Sequence, residues 1–123
     1  MAKRVLIVDD HPSFRASARL LLSAEGFDVV GEAEDGESAL RAAADLLPEL
    51  VLLDVQLPDI DGFEVARRLT GGASRSASAD GPDVVLTSSR DGSDFGPLVA
   101  ASGARGFVPK GELTGDALRH LAP

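Results

Sequence analysis

Three short apolar runs without polar alternation constrain the fold of this chain most strongly. Such runs are typical of strands covered on both faces, as in a parallel sheet packed between helices. They are residues 5–8, 50–53 and 84–86, and the residues that follow them are Asp9, Asp54 and Thr87. The sequence therefore predicts buried strands whose ends carry polar side chains.

Segments with helical spacing alternate with these strands. Phe14, Ala18, Leu21 and Leu22 recur at the helical period, and Gly26 stands where that helix should stop. The other predicted elements are strands over 28–33 and within 104–109 and helices over 37–47, 62–69 and 113–121. Five strand and helix units with short connections predict an α/β fold, with a parallel sheet between two helical layers.

Two segments interrupt this pattern inside what we expect to be one domain, residues 1–123. Residues 71–82 are small, polar and aperiodic, so we expect a flexible loop before the fourth strand. Gly96 and Pro97 are poor helix-interior residues. The fourth helix should therefore be short, beginning near Pro97 and ending at Gly103.

Composition excludes several classes of function. The chain has no cysteine, which rules out disulfides, thiolate metal sites and cysteine nucleophiles. A net charge of −8 works against direct nucleic-acid binding. The apolar runs are too short to cross a membrane, and the N-terminus lacks a signal-peptide core. We expect a soluble, cytoplasmic chain without a membrane partner.

Polar residues mark four predicted strand ends, the edge at which parallel α/β sheets bind ligands. They are Asp9 with Asp10, Asp54, Thr87 with Ser88, and Lys110. Crowded carboxylates repel one another unless a cation neutralises them, and Mg²⁺ prefers oxygen ligands shared with a phosphate. A lysine and a hydroxyl are suitable partners for a phosphoryl group.

Each of these residues alone has an ordinary structural explanation. Asp54 could cap the loop after its strand, Asp9 or Asp10 could cap the next helix, and Lys110 could be a solvated surface lysine. His11 is better explained as a partly exposed loop residue than as a phosphodonor or metal ligand. Only the joint occurrence at four strand ends favours a shared site.

Three ordered stretches carry a resemblance to a known family. They are VLIVDD over 5–10, LLDVQLPDIDG over 52–62 and GARGFVPK over 103–110. Together they resemble the receiver domain of two-component response regulators over essentially the whole chain. The resemblance implies a flavodoxin-like (βα)5 fold with strand order 2-1-3-4-5. It also implies phosphoryl transfer to Asp54 from a sensor histidine kinase or a phosphotransfer protein.

The resemblance extends to individual residues of a magnesium and phosphoryl site. Asp10, Asp54 and the backbone carbonyl of Gln56 resemble the family's Mg²⁺ ligands. Asp9 resembles a ligand acting through water. Lys110 resembles the phosphoryl-binding lysine.

The switch hydroxyl has two candidates, which strand alternation points to opposite faces. Ser88 lies at the family's usual spacing from Lys110 and is preferred, whereas Thr87 would require an insertion. Phe107 resembles the aromatic residue coupled to this hydroxyl and, without a hydroxyl of its own, can act only sterically. We hypothesise that Gln56 and Arg90, two residues beyond Asp54 and Ser88, tune the phosphoryl lifetime.

The predicted function is a phosphoacceptor domain, with no catalysis beyond its own phosphorylation and dephosphorylation. Phosphorylation should switch the surface of the fourth helix, fifth strand and fifth helix toward an unknown downstream protein or a homodimer.

Three alternatives remain open. An enzyme on a similar sheet fits poorly, because phosphate-loop and dinucleotide motifs are missing and Asp9-Asp10-His11 lacks a D-x-D pattern. A phosphorylation-independent interaction module would not need the acid pair, Asp54 and Lys110 together. The start VDDHP, residues 8–12, resembles receivers that precede a DNA-binding domain, although the chain leaves room after Lys110 only for a last helix and no output domain.

Overall fold

A computed structural model describes residues 2–71, 81–89 and 95–123 of the chain. Within these ranges, five strands form a single parallel sheet. The strands are β1 (Arg4–Val8), β2 (Asp28–Ala33), β3 (Leu50–Asp54), β4 (Asp83–Ser88) and β5 (Gly106–Pro109). Their order in the sheet, β2-β1-β3-β4-β5, confirms the predicted flavodoxin-like fold.

In the described part of the chain, five α-helices cover the two faces of the sheet. They are α1 (Pro12–Ala24), α2 (Gly36–Leu46), α3 (Gly62–Thr70), α4 (Gly96–Ser102) and α5 (Gly115–Leu121). Leu22 of α1 and Leu118 of α5 belong to the core on one face. Ala39 of α2 and Phe63 of α3 belong to the core on the other face. The apolar runs of β1 and β3 are fully buried between these layers, which explains why they do not alternate.

The fourth helix is as short as its sequence predicts. It covers seven residues, with Pro97 in its first turn, and Gly103 after it adopts a positive φ of 79°. A proline lacks the backbone N–H that a first turn leaves unpaired, and glycine accepts the left-handed conformation that ends a helix. Of the predicted flexible loop over 71–82, residues 72–80 lie outside the described part of the chain.

The prediction that the last helix begins at Leu113 is wrong by two residues. Lys110–Glu112 form a 3-10 turn, and Thr114 caps α5 by accepting a hydrogen bond from the backbone N–H of Ala117. Leu113 is buried in the core between these elements. Helical spacing alone could not separate the two, because a buried leucine fits either assignment.

In the described ranges, no helix is both long enough and apolar enough to pass through a membrane.

Candidate functional site

An ion-paired cluster lies at the carboxyl ends of β1, β3 and β5. Lys110 Nζ is 2.7 Å from Asp9 Oδ2 and 3.2 Å from Asp54 Oδ2. Asp9 is fully buried and Asp54 is 3% exposed. Because parallel strands end at one edge, three residues distant in sequence become the closely spaced centre of the site.

Asp10 and His11 extend this cluster toward solvent. One oxygen from each of Asp9, Asp10 and Asp54 and a ring nitrogen of His11 all lie within 4.8 Å of one another. The His11 side chain is 63% exposed, and its Nδ1 is 2.9 Å from Asp9 Oδ1 and 3.1 Å from Asp10 Oδ1. His11 is therefore the exposed loop residue that the sequence suggested, with contacts to both acids that the sequence did not reveal.

Burial and charge push the two inner carboxylates in opposite directions. Burial raises the pKa of Asp54, and the negative charge of Asp9 raises it further, against the hydrogen bond from Gln56 and the charge of Lys110. For Asp9, burial is outweighed by Lys110 and by hydrogen bonds from His11, so its pKa lies below the usual 3.8. Burial also opposes the charge on Lys110, but Asp9 and Asp54 outweigh it and raise the pKa of the lysine above 10.5.

These opposite shifts predict how Asp54→Asn changes stability with pH in magnesium-free buffer. The folded state binds a proton on Asp54 more readily than the unfolded state does. The contribution of Asp54 to the free energy of unfolding therefore increases as pH falls from neutrality through its pKa in the folded state. The increase ends near 3.8, the ordinary pKa of aspartate, which applies to the unfolded chain. Asparagine does not titrate. The free energy of unfolding of Asp54→Asn should therefore exceed that of wild type most at neutral pH, and the two values should converge in acid.

Urea unfolding followed by circular dichroism at a series of pH values measures this difference. The pKa of Asp9 in the folded protein lies below 3.8, so its own titration contributes little to this difference between pH 4 and 7. A stability difference that stays constant between pH 4 and 7 would contradict the raised pKa.

The segment after β3, residues 55–62, carries Gln56 at the edge of the cluster. The backbone N–H of Gln56 donates to Asp54 Oδ1 at 2.9 Å, while the Gln56 side chain is exposed. At the far end of the segment, Gly62 N–H donates to Val55 O, and the Asp61 side chain caps α3. The two ends of the segment are thus tied close together, which places the Gln56 backbone beside Asp54.

The two candidate switch hydroxyls are both buried at the end of β4. By strand alternation, Thr87 shares the face of Val85, in the core under α1 and α5, and pairs in register with Asp54 and Val108. Ser88 shares the face of Leu86, which pairs with Phe107. Ser88 and Phe107 therefore lie on the same side of the sheet.

Thr87 offers a further prediction, because its buried hydroxyl has no hydrogen-bond partner among the described residues. Thr87→Val should raise the free energy of unfolding by about 1 kcal/mol, since an unsatisfied buried hydroxyl costs stability. The matched control is Thr70→Val, which deletes a buried hydroxyl that lies 2.8 Å from both Ala66 O and Ser102 O, either of which accepts its single proton. Chemical denaturation should show opposite signs for the two variants, and destabilisation by Thr87→Val would reveal a partner for this hydroxyl.

Phe107 belongs to a row of three aromatic rings, tilted against one another, between α3 and β5. The Phe95 ring lies 5.6 Å, centroid to centroid, from both Phe63 and Phe107. A shift of Phe107 would therefore displace Phe95, the residue that precedes α4.

Arg90, proposed from the sequence to tune phosphoryl lifetime, lies outside the described residues.

Two residues of α1 contact the cluster without having been predicted to do so. The Phe14 ring centroid is 4.5 Å from Lys110 Nζ, a distance at which a cation and an aromatic face attract. Arg15 Nη1 donates to the backbone oxygen of Asp9 at 2.6 Å. The helical period assigned Phe14 only to the core, and no sequence pattern links Arg15 to a backbone carbonyl.

Comparison with known proteins gives one family. A family model described as the response regulator receiver domain matches residues 5–121. The response regulator GacA of Pseudomonas viridiflava is 39% identical over 111 residues, covering 88% of this chain and 48% of GacA. The DNA-binding response regulator MtrA of Mycolicibacterium smegmatis is 41% identical over 112 residues, covering 89% of this chain and 45% of MtrA. The chain thus spans about half the length of these curated relatives.

A solved structure of similar sequence has the same fold. The BeF3-activated N-terminal receiver domain of Klebsiella pneumoniae RstA is 29% identical and superposes with a TM-score of 0.78. The match covers 96% of this chain and 94% of that domain.

Proposed function

Because this chain belongs to the response regulator receiver family, whose members interact with histidine kinases, we propose that it accepts a phosphoryl group on Asp54. The donor is a sensor histidine kinase or a phosphotransfer protein. The observation that carries the proposal is the simultaneous ion pairing of Lys110 with Asp9 and Asp54 at the sheet edge. A partly buried lysine between two carboxylates supplies the fixed positive charge that an incoming phosphoryl group needs.

The donor set at this edge suits Mg²⁺. Carboxylate and carbonyl oxygens are its preferred ligands. Burial raises the pKa of Asp54 and repulsion from Asp9 adds to this, so a cation would relieve both effects. We assign Asp10, Asp54 and the carbonyl of Gln56 as ligands and Asp9 as a ligand through water. When bound, the ion neutralises charge on the phosphoryl oxygens.

The transfer step is an in-line displacement at phosphorus. A carboxylate oxygen of Asp54 forms the new O–P bond while the P–N bond to the donor histidine breaks, and the leaving imidazole keeps the electron pair and takes up a proton. Lys110 moves from Asp54 toward the transferred phosphoryl oxygens, and Ser88 donates a hydrogen bond to one of them. These residues accelerate the transfer mainly by positioning the reacting groups.

The phosphorylated site acts on a surface formed by α4, β5 and α5. Movement of Ser88 toward the phosphoryl group frees space on the face that it shares with Phe107, and the Phe95 ring packed against Phe107 carries the change to the start of α4. Phosphorylation then shifts the population of two surface states, to which a downstream protein or a second copy of the chain responds. We place this function in the cytoplasm, with no catalysis beyond the chain's own phosphorylation and dephosphorylation.

Metal-dependent formation of an acyl phosphate tests the proposal. Phosphorus NMR of the protein with acetyl phosphate should show a protein-bound signal in Mg²⁺, and this signal should be absent in excess EDTA. No signal in either condition would favour a phosphorylation-independent interaction module.

The exposed side chain of Gln56 allows a separate prediction about phosphoryl lifetime. It lies two residues beyond Asp54, beside the path of an attacking water, while the Gln56 backbone serves the metal site. Gln56→Ala should therefore change the dephosphorylation rate by several-fold without reducing Mg²⁺ affinity. Loss of the acyl phosphate signal over time measures the rate, and an unchanged rate would assign the lifetime to other residues.

A second candidate function is the receiver part of a DNA-binding transcriptional regulator. It is supported by MtrA, a DNA-binding response regulator of about twice the matched length. In this form the switched surface would act on a DNA-binding part of the same polypeptide. The net charge of −8 makes direct nucleic-acid contact by the receiver itself unfavourable.

A further inference from the structure

The first turn of α2 is bonded to two aspartates from different parts of the chain. Asp35, the local cap, accepts from the backbone N–H of Ser38, and the Ser38 hydroxyl accepts in return from the N–H of Asp35. Asp59, from the segment between β3 and α3, accepts from Gly36 N–H at 2.7 Å and Glu37 N–H at 3.0 Å. The local cap leaves the N–H groups of Gly36 and Glu37 to Asp59, so this contact both completes the helix end and joins two elements of the fold.

Asp59 holds the middle of the segment that carries the proposed metal ligand. Gln56 lies three residues before it, and both ends of the segment are fixed at Val55 and Gly62. Asp59 Oδ1 also accepts from the backbone N–H of Ile60 at 2.8 Å. These backbone hydrogen bonds, first that from Gly36, lower the pKa of Asp59, so the residue stays ionised at neutral pH.

The packing around Gly36 shows how closely α2 and this segment approach. A side-chain carbon at Gly36 would lie 2.9 Å from both Ile60 Cβ and Val65 Cγ2. Both distances are too short for non-bonded carbons. At Ile60, one residue after Asp59, the segment is therefore packed directly against the first turn of α2.

We infer that Asp59 is a positioning residue for the metal site: by tying the segment after β3 to α2, it fixes the Gln56 carbonyl and the Asp54 carboxylate in the arrangement that binds Mg²⁺. The inference rests on the proposed function. Groups that orient metal ligands from outside the coordination sphere commonly change metal affinity by about 10- to 100-fold when removed.

Isothermal titration with Mg²⁺ on the full chain tests this role. Asp59→Ala should weaken Mg²⁺ binding by about 10-fold. Asp59→Asn, which keeps one acceptor oxygen and the shape of the side chain, should be intermediate. Amide hydrogen exchange should show faster exchange at Gly36 and Glu37 in both variants, which verifies that the contact has been loosened.

Ser38→Ala is the matched control, because it removes a hydrogen bond from the same helix end and leaves the segment after β3 untouched. It should lower thermal stability as the Asp59 variants do, yet keep wild-type Mg²⁺ affinity. Equal weakening by Ser38→Ala and Asp59→Ala would reduce Asp59 to a helix cap and overturn the inference, as would unchanged affinity in Asp59→Ala. Wild type that binds no Mg²⁺ would instead contradict the proposed function, and the inference with it.

Discussion

Lys110→Met is expected to lower the free energy of unfolding by about 3–5 kcal/mol at neutral pH without Mg²⁺, because it leaves two buried carboxylates facing each other. In the wild-type protein, Lys110 Nζ lies within 3.2 Å of a carboxylate oxygen of both Asp9 and Asp54, and the lysine side chain is only 15% exposed. Methionine keeps most of the apolar stem, so the loss reports on the missing charge. Phosphorylation by acetyl phosphate should fall by several orders of magnitude, since the phosphoryl group loses its fixed cation.

Two controls separate charge from packing in this experiment. Adding Mg²⁺ should restore part of the lost stability, because a bound cation replaces the lysine as the neutralising charge. The double variant Asp54→Asn with Lys110→Met should also be more stable than Lys110→Met alone, because one of the two facing charges is gone. Chemical denaturation measures the free energy of unfolding of wild type, of Lys110→Met without and with Mg²⁺, and of the double variant. A loss below about 1 kcal/mol in Lys110→Met would mean that Lys110 makes only a surface ion pair.

Gly62→Ala is the second change with a large expected effect. A side-chain carbon at Gly62 would lie 2.2 Å from the backbone oxygen of Asp54 and 2.6 Å from the Cα of Val55. Backbone cannot rotate away as a side chain can, so α3 or the end of β3 must move. We expect a destabilisation of about 3 kcal/mol or more, together with weakened Mg²⁺ binding, because the displaced backbone belongs to the phosphoacceptor itself.

Gly111→Ala is the control for the backbone effect of replacing a glycine near the site. A side-chain carbon at Gly111 meets no atom within 4 Å among the described residues, so this variant should unfold within about 0.5 kcal/mol of wild type. Similar stability of the two variants by thermal or urea unfolding would show that Gly62 has room for a side chain.

The fold could be predicted from sequence because its signals are local. Unalternating apolar runs mark strands buried on both faces, and Pro97 and Gly103 mark the limits of α4. The boundary at Leu113 was missed because a buried leucine fits both a helix and the turn that precedes it. Which way the chain turns after Lys110 depends on tertiary packing, and no local pattern encodes it.

The candidate site was predictable in its members but not in its contacts. Strand ends and family resemblance suffice to nominate Asp9, Asp54 and Lys110, since a parallel sheet gathers them at one edge. Neither source predicts that Phe14 lies over Lys110, or that Asp59 is bonded to the first turn of α2. Both contacts join segments far apart in the chain, and both residue types are common in ordinary helices and loops.

The central claim, that Asp54 is the phosphoacceptor, is tested most directly by intact mass after incubation with acetyl phosphate and Mg²⁺. Wild type should gain the mass of one phosphoryl group, and Asp54→Asn, folded by circular dichroism, should gain none. A phosphoryl group on Asp54→Asn would place the acceptor elsewhere, and a wild type that gains no mass would contradict phosphoryl transfer to this chain.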